Sequence, residues 1–236
     1  MKGLFITFEG TEGSGKSTQI ALLAEKLSAM GLTVHRLREP GGTPIGEEIR
    51  HTLKHSEANH AMTFEAELLL MNASRAQLIR EIIRPMLAAG NVVLCDRFYD
   101  STTAYQGYGR ELDLKKVSEV IDFAVGETRP DLTLLLHVPV SVSEERRRSR
   151  QAMLLEVPQN KNSKQVVALP FSEAQRDRME EADRNFFERV EKGYRAIIAA
   201  EPNRVKLLDA TQSRELVTTE IWSLVAPLVE KNQASR

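Results

Sequence analysis

The stretch LFITFEGTEGSGKST, Leu4 to Thr18, decides how the rest of the chain is read. Leu4–Phe8 is an apolar, β-prone run, and glycines follow it at once. Gly10 to Ser17 fits G-x-x-x-x-G-K-[ST] in full. Beyond it, Ile20, Leu23, Ala24 and Leu27 recur at helical spacing until Gly31 stops the pattern. The motif therefore lies between a strand and a helix, the context in which it cradles phosphate. Its glycines permit a tight loop whose amides point inward at phosphate oxygens. The helix that follows adds its positive N-terminal end. Gly10, Thr11, Glu12, Gly13, Ser14, Gly15, Lys16, Ser17 and Thr18 are the expected ATP-binding residues. Lys16 is expected on the β- and γ-phosphates and Ser17 on Mg²⁺. The competing reading, a dinucleotide-binding turn built on Gly13-x-Gly15, fails because Thr18 stands where a third glycine belongs.

Four more apolar runs read as strands: Leu32–Leu37, Asn91–Cys95, Leu132–Val138 and Val205–Leu208. Helix-period segments separate them at Thr43–Lys54, Phe64–Ala89 (bent near Pro85), Leu114–Val125, Glu173–Ala200 and Arg214–Lys231. This alternation predicts an α/β chain of three layers, α/β/α, around a five-stranded parallel sheet. Ligands of such sheets sit beyond the carboxyl ends of the strands. Gly10–Ser17, Arg38–Thr43 and Asp96–Arg97 each follow a strand directly, so they should converge on one site.

The chain has 236 residues, with 32 basic against 33 acidic side chains and a net charge of −1. That length suits one domain over 1–236 with a mobile flap. The balance gives no basic field for nucleic acid or an anionic membrane. Basic residues must act locally, on a small anion. The single cysteine, Cys95, rules out an intrachain disulfide, and no run reaches transmembrane length. A cytoplasmic protein is expected.

A transferring phosphoryl group needs more positive charge than Lys16 supplies, and an arginine commonly brings it. One candidate is Arg97, past the third strand and beside Asp96. Asp96 could hold Mg²⁺-bound water or orient Arg97, or the two could form a structural pair. Another is the run EERRRSR, Glu144–Arg150, which opens an irregular segment, Gln151–Ser172. A charge run is usually a solvated helix face. Here its placement suggests a lid over about 146–178 carrying Arg146, Arg148 and Arg150, with Arg176 and Arg178 at its far end. Glu12 has two open readings: a solvent-pointing loop residue, or a carboxylate that holds a cation or a substrate hydroxyl. Leu68–Met71 and Trp222 read as core, the former alternatively as a dimer face. Cys95 reads as buried and inert, and His51, His55 and His60 as exposed helix residues without a metal.

Together these segments resemble the bacterial thymidylate kinase family. EGTEGSGKST, then REPGGTPIGEEIR (Arg38–Arg50), DRFYDSTTAYQG (Asp96–Gly107), RPDLTLLL (Arg129–Leu136) and DRMEEADRNFFERV (Asp177–Val190) look like its signatures in order. The resemblance implies ATP and dTMP as substrates, Mg²⁺ as cofactor, dTDP as product and a homodimer. It implies that Glu12 takes the sugar 3′-hydroxyl and that Arg38 and Arg97 hold the acceptor phosphate, with Arg50 lining the pocket. Arg75 and Gln106 would read the thymine edge, Thr102 would favour thymine, and Tyr105 would crowd the 2′ position. Arg146, Arg148 and Arg150 match lid arginines, and Asp209–Gln212 matches the loop bordering adenine. The chain departs from the family at three places. Met71 stands where an aromatic usually stacks on the base, Gln151–Ser172 is longer than the usual lid, and His137 stands where Asp is usual.

Overall fold

The computed structural model describes residues 3–146, 149 and 184–234. Five strands, β1 (Leu4–Glu9), β2 (Val34–Arg38), β3 (Val92–Asp96), β4 (Leu132–His137) and β5 (Val205–Asp209), form one sheet. Its order is β2-β3-β1-β4-β5, and every pairing is parallel. The helices are α1 (Lys16–Ala29), α2 (Pro44–Lys54), α3 (Phe64–Leu78), α4 (Arg84–Ala88), α5 (Tyr99–Thr102), α6 (Leu114–Val125), α7 (140–146), α8 (Arg184–Ala200) and α9 (Arg214–Ala234). The expected lid over 146–178 lies, apart from Arg146 and Ser149, outside the described residues, as do Arg148, Arg150, Arg176 and Arg178.

Strand side chains alternate faces, and the two faces are covered by different helices. Leu4, Ile6 and Phe8 of β1 join Val92, Leu94, Leu132, Leu134 and Leu136 in a core closed by α1 and α9. Phe5, Val93 and Cys95 face the other way, against α3 and α6. Leu135 and Val205 on that side meet Phe186, Val190, Tyr194 and Ile197 of α8. Three layers result, as the sequence predicts. Between the last two clusters lies a buried polar knot. Thr7 and Thr133 share a hydroxyl hydrogen bond of 2.7 Å, and Arg204 donates to Asp100 at 2.7 and 2.8 Å. This knot fixes the polypeptide after β3 against β4 and β5.

Some element boundaries differ from expectation, each for a local reason. β2 begins at Val34 rather than Leu32 because the Leu32 amide is already spent on Leu27 O at 3.2 Å, closing α1 past Gly31 (φ 80). β3 begins at Val92 because the Asn91 amide is spent on Met86 O at 3.1 Å. The segment expected as one helix over Phe64–Ala89 widens into a π turn at Ile79–Ile83. Pro85 has no N–H to return to the carbonyl of Glu81, so the regular ladder cannot continue unaltered. A second π turn, Thr103–Gly109, extends α5 through a segment that periodicity left unassigned.

All five strands end at one edge of the sheet. Arg38 and Phe8 are both in register with Asp96, Glu9 with Leu135, and His137 with Asp209. The loops after β1, β2 and β3 therefore open on the same side.

Leu134 is fully buried in β4. Leu134→Ala should cost about 2–5 kcal/mol by leaving a cavity that a close-packed sheet cannot fill. Denaturant unfolding checks this, and a loss below about 1 kcal/mol would show a core far looser than described.

Candidate active site

The loop from Gly10 to Gly15 turns β1 into α1. Gly10, Gly13 and Gly15 hold φ of 128°, 75° and 93°, a region that side chains rarely adopt. At Gly10 a Cβ would also stand 2.2 Å from Leu136 O, so only glycine passes the end of β4. No side chain caps the N-terminus of α1, and its first turn carries no acid. Its amides thus face the loop, a ready anion site. The buried hydroxyls of Thr11 and Ser14 have no hydrogen-bond partner. Such orphaned donors inside an amide-lined turn are what phosphate oxygens would satisfy.

Lys16 is buried and folds back over this loop, donating to Gly10 O at 3.0 Å and Thr11 O at 2.9 Å. Burial, and then the charge of Arg97, push its ammonium down to about 8. Ser17 Oγ donates to Asp96 Oδ2 across 3.3 Å. This hydroxyl–carboxylate pair suits a hard dication such as Mg²⁺, which takes its remaining ligands from phosphates and water.

Beside the loop opens a pocket that spans about 670 Å³ when the solvent at its mouth is included. It gathers seven of the expected residues: Glu12, Met71, Arg75, Arg97, Thr102, Tyr105 and Gln106. Glu12 thus faces this pocket, where a carboxylate can meet a ligand. Met71, on α3, lines the pocket while Leu68 is buried and Leu69 is 57% exposed, so the run Leu68–Met71 is neither wholly core nor wholly surface.

The polar side chains in the pocket are held by buried partners. Arg75 is 2% exposed; its Nε and NH2 reach Glu39 Oε2 at 2.8 and 2.7 Å, NH1 donates to Asn72 Oδ1 at 2.9 Å, and NH2 to Phe98 O at 3.2 Å. Gln106 Nε2 donates to Glu67 Oε1 at 2.9 Å, which fixes the amide's orientation. Arg97 is a non-glycine residue at φ 69°, the first residue past β3; its NH1 donates to Ser101 Oγ at 3.0 Å and its guanidinium lies 5.0 Å from the Tyr105 ring.

Arg38 and Arg50 are not among the residues that line this pocket, but both contact Pro40, which is. Both donate to Pro40 O at 3.0 Å, and Arg38 also pairs with Glu47 at 2.9 Å. Arg146, on α7, donates to Gly13 O at 3.4 Å and Ala210 O at 3.0 Å, so it bridges the phosphate loop to the turn after β5.

Lys54, Phe98, Ser101, Ser143 and Phe187, which sequence reasoning did not single out, complete the walls with Glu39 and Pro40 of the Arg38–Thr43 segment. Glu39 followed from the strand-end rule, since it comes directly after β2. Phe187 had no such signal, because it reads as one more apolar residue of the amphipathic α8. Glu9, which ends β1, is fully buried and gathers Phe98, Ser101 and Tyr194 around its carboxylate. Burial, then the nearby Asp100, push the Glu9 carboxyl up. The expectations elsewhere hold: Cys95 is fully buried, with its thiol raised by burial, and His51, His55 and His60 are exposed. Among the described residues no three acidic, histidine or cysteine side chains cluster as a metal site.

A parallel sheet in this order, with a glycine-rich loop after its central strand and a pocket sharing that loop's wall, defines a phosphotransferase class. Known proteins narrow it. The thymidylate kinase family model matches residues 8–169. The chain is 43% identical to a thymidylate kinase of Pseudomonas fluorescens, over 98% of this chain and 99% of the relative. It is 45% identical to one of Chlorobium luteolum, over 88% and 89% respectively. The solved thymidylate kinase from Ehrlichia chaffeensis superposes with a TM-score of 0.69 at 29% identity, covering 95% of this chain and 99% of that one. The chain belongs to the thymidylate kinase family.

Burial pushes the Glu39 carboxyl from 4.5 to about 7, despite Arg75, which lowers it. Between those values the folded chain keeps a proton that the unfolded chain has lost. Stability from this group is therefore complete at acid pH and falls as pH rises towards 7. Denaturation of the native chain and Glu39→Gln at about pH 5 and about pH 7.5 checks the sign: the native chain should lose ground to the variant as pH rises. A constant difference would remove Glu39 as the titrating group.

Proposed function

We propose that the chain transfers the γ-phosphoryl group of ATP to dTMP, giving ADP and dTDP. The observation that carries this reading is the shared wall: Glu12 belongs to the phosphate loop and lines the same pocket as Arg97 and Arg75. Donor and acceptor would then lie side by side, the arrangement that direct in-line transfer requires.

ATP phosphates would lie in the Gly10–Ser17 loop, on the α1 amides and the Thr11 and Ser14 hydroxyls. Lys16 would turn from the Gly10 and Thr11 carbonyls to the β- and γ-phosphates. Their charge would restore its ammonium, which burial and Arg97 lower in the chain alone. Ser17 and Asp96 would hold Mg²⁺, which screens the developing charge when bound. Arg38 and Arg97 would hold the acceptor phosphate, with Arg50 lining the pocket beside Pro40. Arg146, which donates to Gly13 O, would reach the transferring group, with Arg148 and Arg150 as the other candidates for that role.

On the acceptor side, Glu12 would take the 3′-hydroxyl. Arg75 and Gln106, held rigid by Glu39 and Glu67, would meet the thymine edge with Thr102. Tyr105 would crowd the 2′ position. Met71 would pack its thioether against the base in place of a stacking ring.

The working unit would be a homodimer. Phe64 and Leu69 of α3 and Leu114 and Phe123 of α6 are exposed, Phe123 to 86%, and the two helices pack together. A second copy would cover such a face. No described helix is long and apolar enough to cross a membrane, which fits the expected cytoplasmic location.

ADP release from MgATP should be strong with dTMP and weak with dUMP, dCMP, dAMP, dGMP and UMP. Equal rates across the six would contradict the assignment of Arg75, Thr102 and Gln106. Lys16→Ala should keep the fold by circular dichroism and lower kcat by about a hundredfold or more. A near-normal kcat in that variant would remove Lys16 from the mechanism.

A further inference from the structure

We infer that Glu9 is a positioning residue for the acceptor phosphate, acting on Arg97 through the hydroxyl of Ser101. The inference rests on the kinase reading above, in which Arg97 meets that phosphate.

The donor and acceptor arithmetic at this carboxylate has a definite direction. Four donors converge on it. Phe98 N and Ser101 N reach Oε1 at 2.8 and 3.3 Å, and Ser101 Oγ and Tyr194 OH reach Oε2 at 2.5 and 2.9 Å. Ser101 has one hydroxyl proton, and at 2.5 Å it goes to Glu9. The lone pairs of Ser101 Oγ are then left to accept, and Arg97 NH1 donates to them at 3.0 Å. The chain of hydrogen bonds runs Arg97 to Ser101 to Glu9, each donor pointing towards the buried carboxylate.

The same carboxylate also sets the backbone that aims Arg97. Arg97 holds a φ of 69°, an uncommon value for a residue with a side chain. Its own amide is tied to Phe8 O at 2.9 Å, and the next amide, Phe98 N, is tied to Glu9. Glu9 therefore grips the turn from below, while Ser101 grips the guanidinium from the side. Tyr105 covers a further face of that guanidinium at 5.0 Å. A guanidinium held through a hydroxyl, rather than buried directly against the carboxylate, stays on the pocket wall where an anion can meet it.

The plainer account is that Glu9 merely caps the start of α5. The two accounts differ in what Ser101→Ala does. That variant leaves both amide contacts to Glu9 in place and removes the relay, together with the 3.2 Å contact between Ser101 Oγ and Tyr194 OH. We expect its KM for dTMP to rise about ten- to hundredfold, as losing a charge-assisted hydrogen bond would give, with KM for MgATP within about twofold. Ser101→Thr, which keeps the hydroxyl, should restore most of the loss. Because Ser101 also lines the pocket, Glu9→Gln and the double variant close a cycle. If Ser101 acts through Glu9, the two effects on KM for dTMP are strongly non-additive; additive effects would mean direct substrate contact and overturn the relay. Unchanged KM for dTMP in Ser101→Ala, or an equal rise for both substrates, would also overturn it. All values are taken relative to the native chain, whose own activity with dTMP tests the underlying reading separately.

Discussion

Two like charges meet at the mouth of the crevice between β1 and β3. The Lys16 ammonium is buried in the phosphate loop; that burial first, and then the charge of the nearby Arg97 guanidinium, lower it to about 8. Neither would be stable there without compensation, because a buried cation loses its hydration. The rest of the site can be read as the means of holding them. Asp96, Glu12 and Glu9 each favour the Lys16 charge, and Glu9 reaches Arg97 through Ser101. What remains is a positive deficit of solvation that an incoming phosphate is suited to relieve. A site built this way has its electrostatics arranged before substrate arrives, the condition under which charge stabilisation counts most.

The sheet makes that arrangement possible. Because the strands run parallel and finish in register, the polypeptide leaves β1, β2 and β3 at neighbouring points. The approach is so close at Gly10 that Leu136 O leaves no room for a Cβ. Beneath the site, the Thr7, Thr133, Asp100 and Arg204 knot ties the segment after β3 to strands on the far side of β1. The pocket's outer wall rests on buried ion pairs of its own, Arg75 with Glu39 and Arg110 with Glu67. These residues are costly to desolvate and contribute geometry more than stability.

Much of this was legible in the sequence because the signals were local. Continuous apolar runs marked the buried parallel strands, and the G-x-x-x-x-G-K-S pattern in its strand–helix context marked the phosphate loop. The strand-end rule correctly joined Gly10–Ser17 to Asp96–Arg97. What escaped were partners set by distant chain. Glu9 looks like one more residue at the end of a strand until Phe98, Ser101 and Tyr194 close on it from 89 to 185 residues away. Phe187 reads as one more apolar residue of α8, yet it lines the pocket. The π turns at Ile79–Ile83 and Thr103–Gly109 follow no 3.6-residue period, so periodicity could not find them.

The central claim is that the loop and the pocket act on one phosphoryl group. Incubating the chain with MgATP labelled at the γ-phosphorus and with dTMP, then separating the nucleotides, tests it directly. The account predicts label in dTDP, in step with ADP formed and with almost none in free phosphate. Label released as inorganic phosphate while dTMP stays unchanged would contradict it, since the two halves of the site would then not be sharing a substrate.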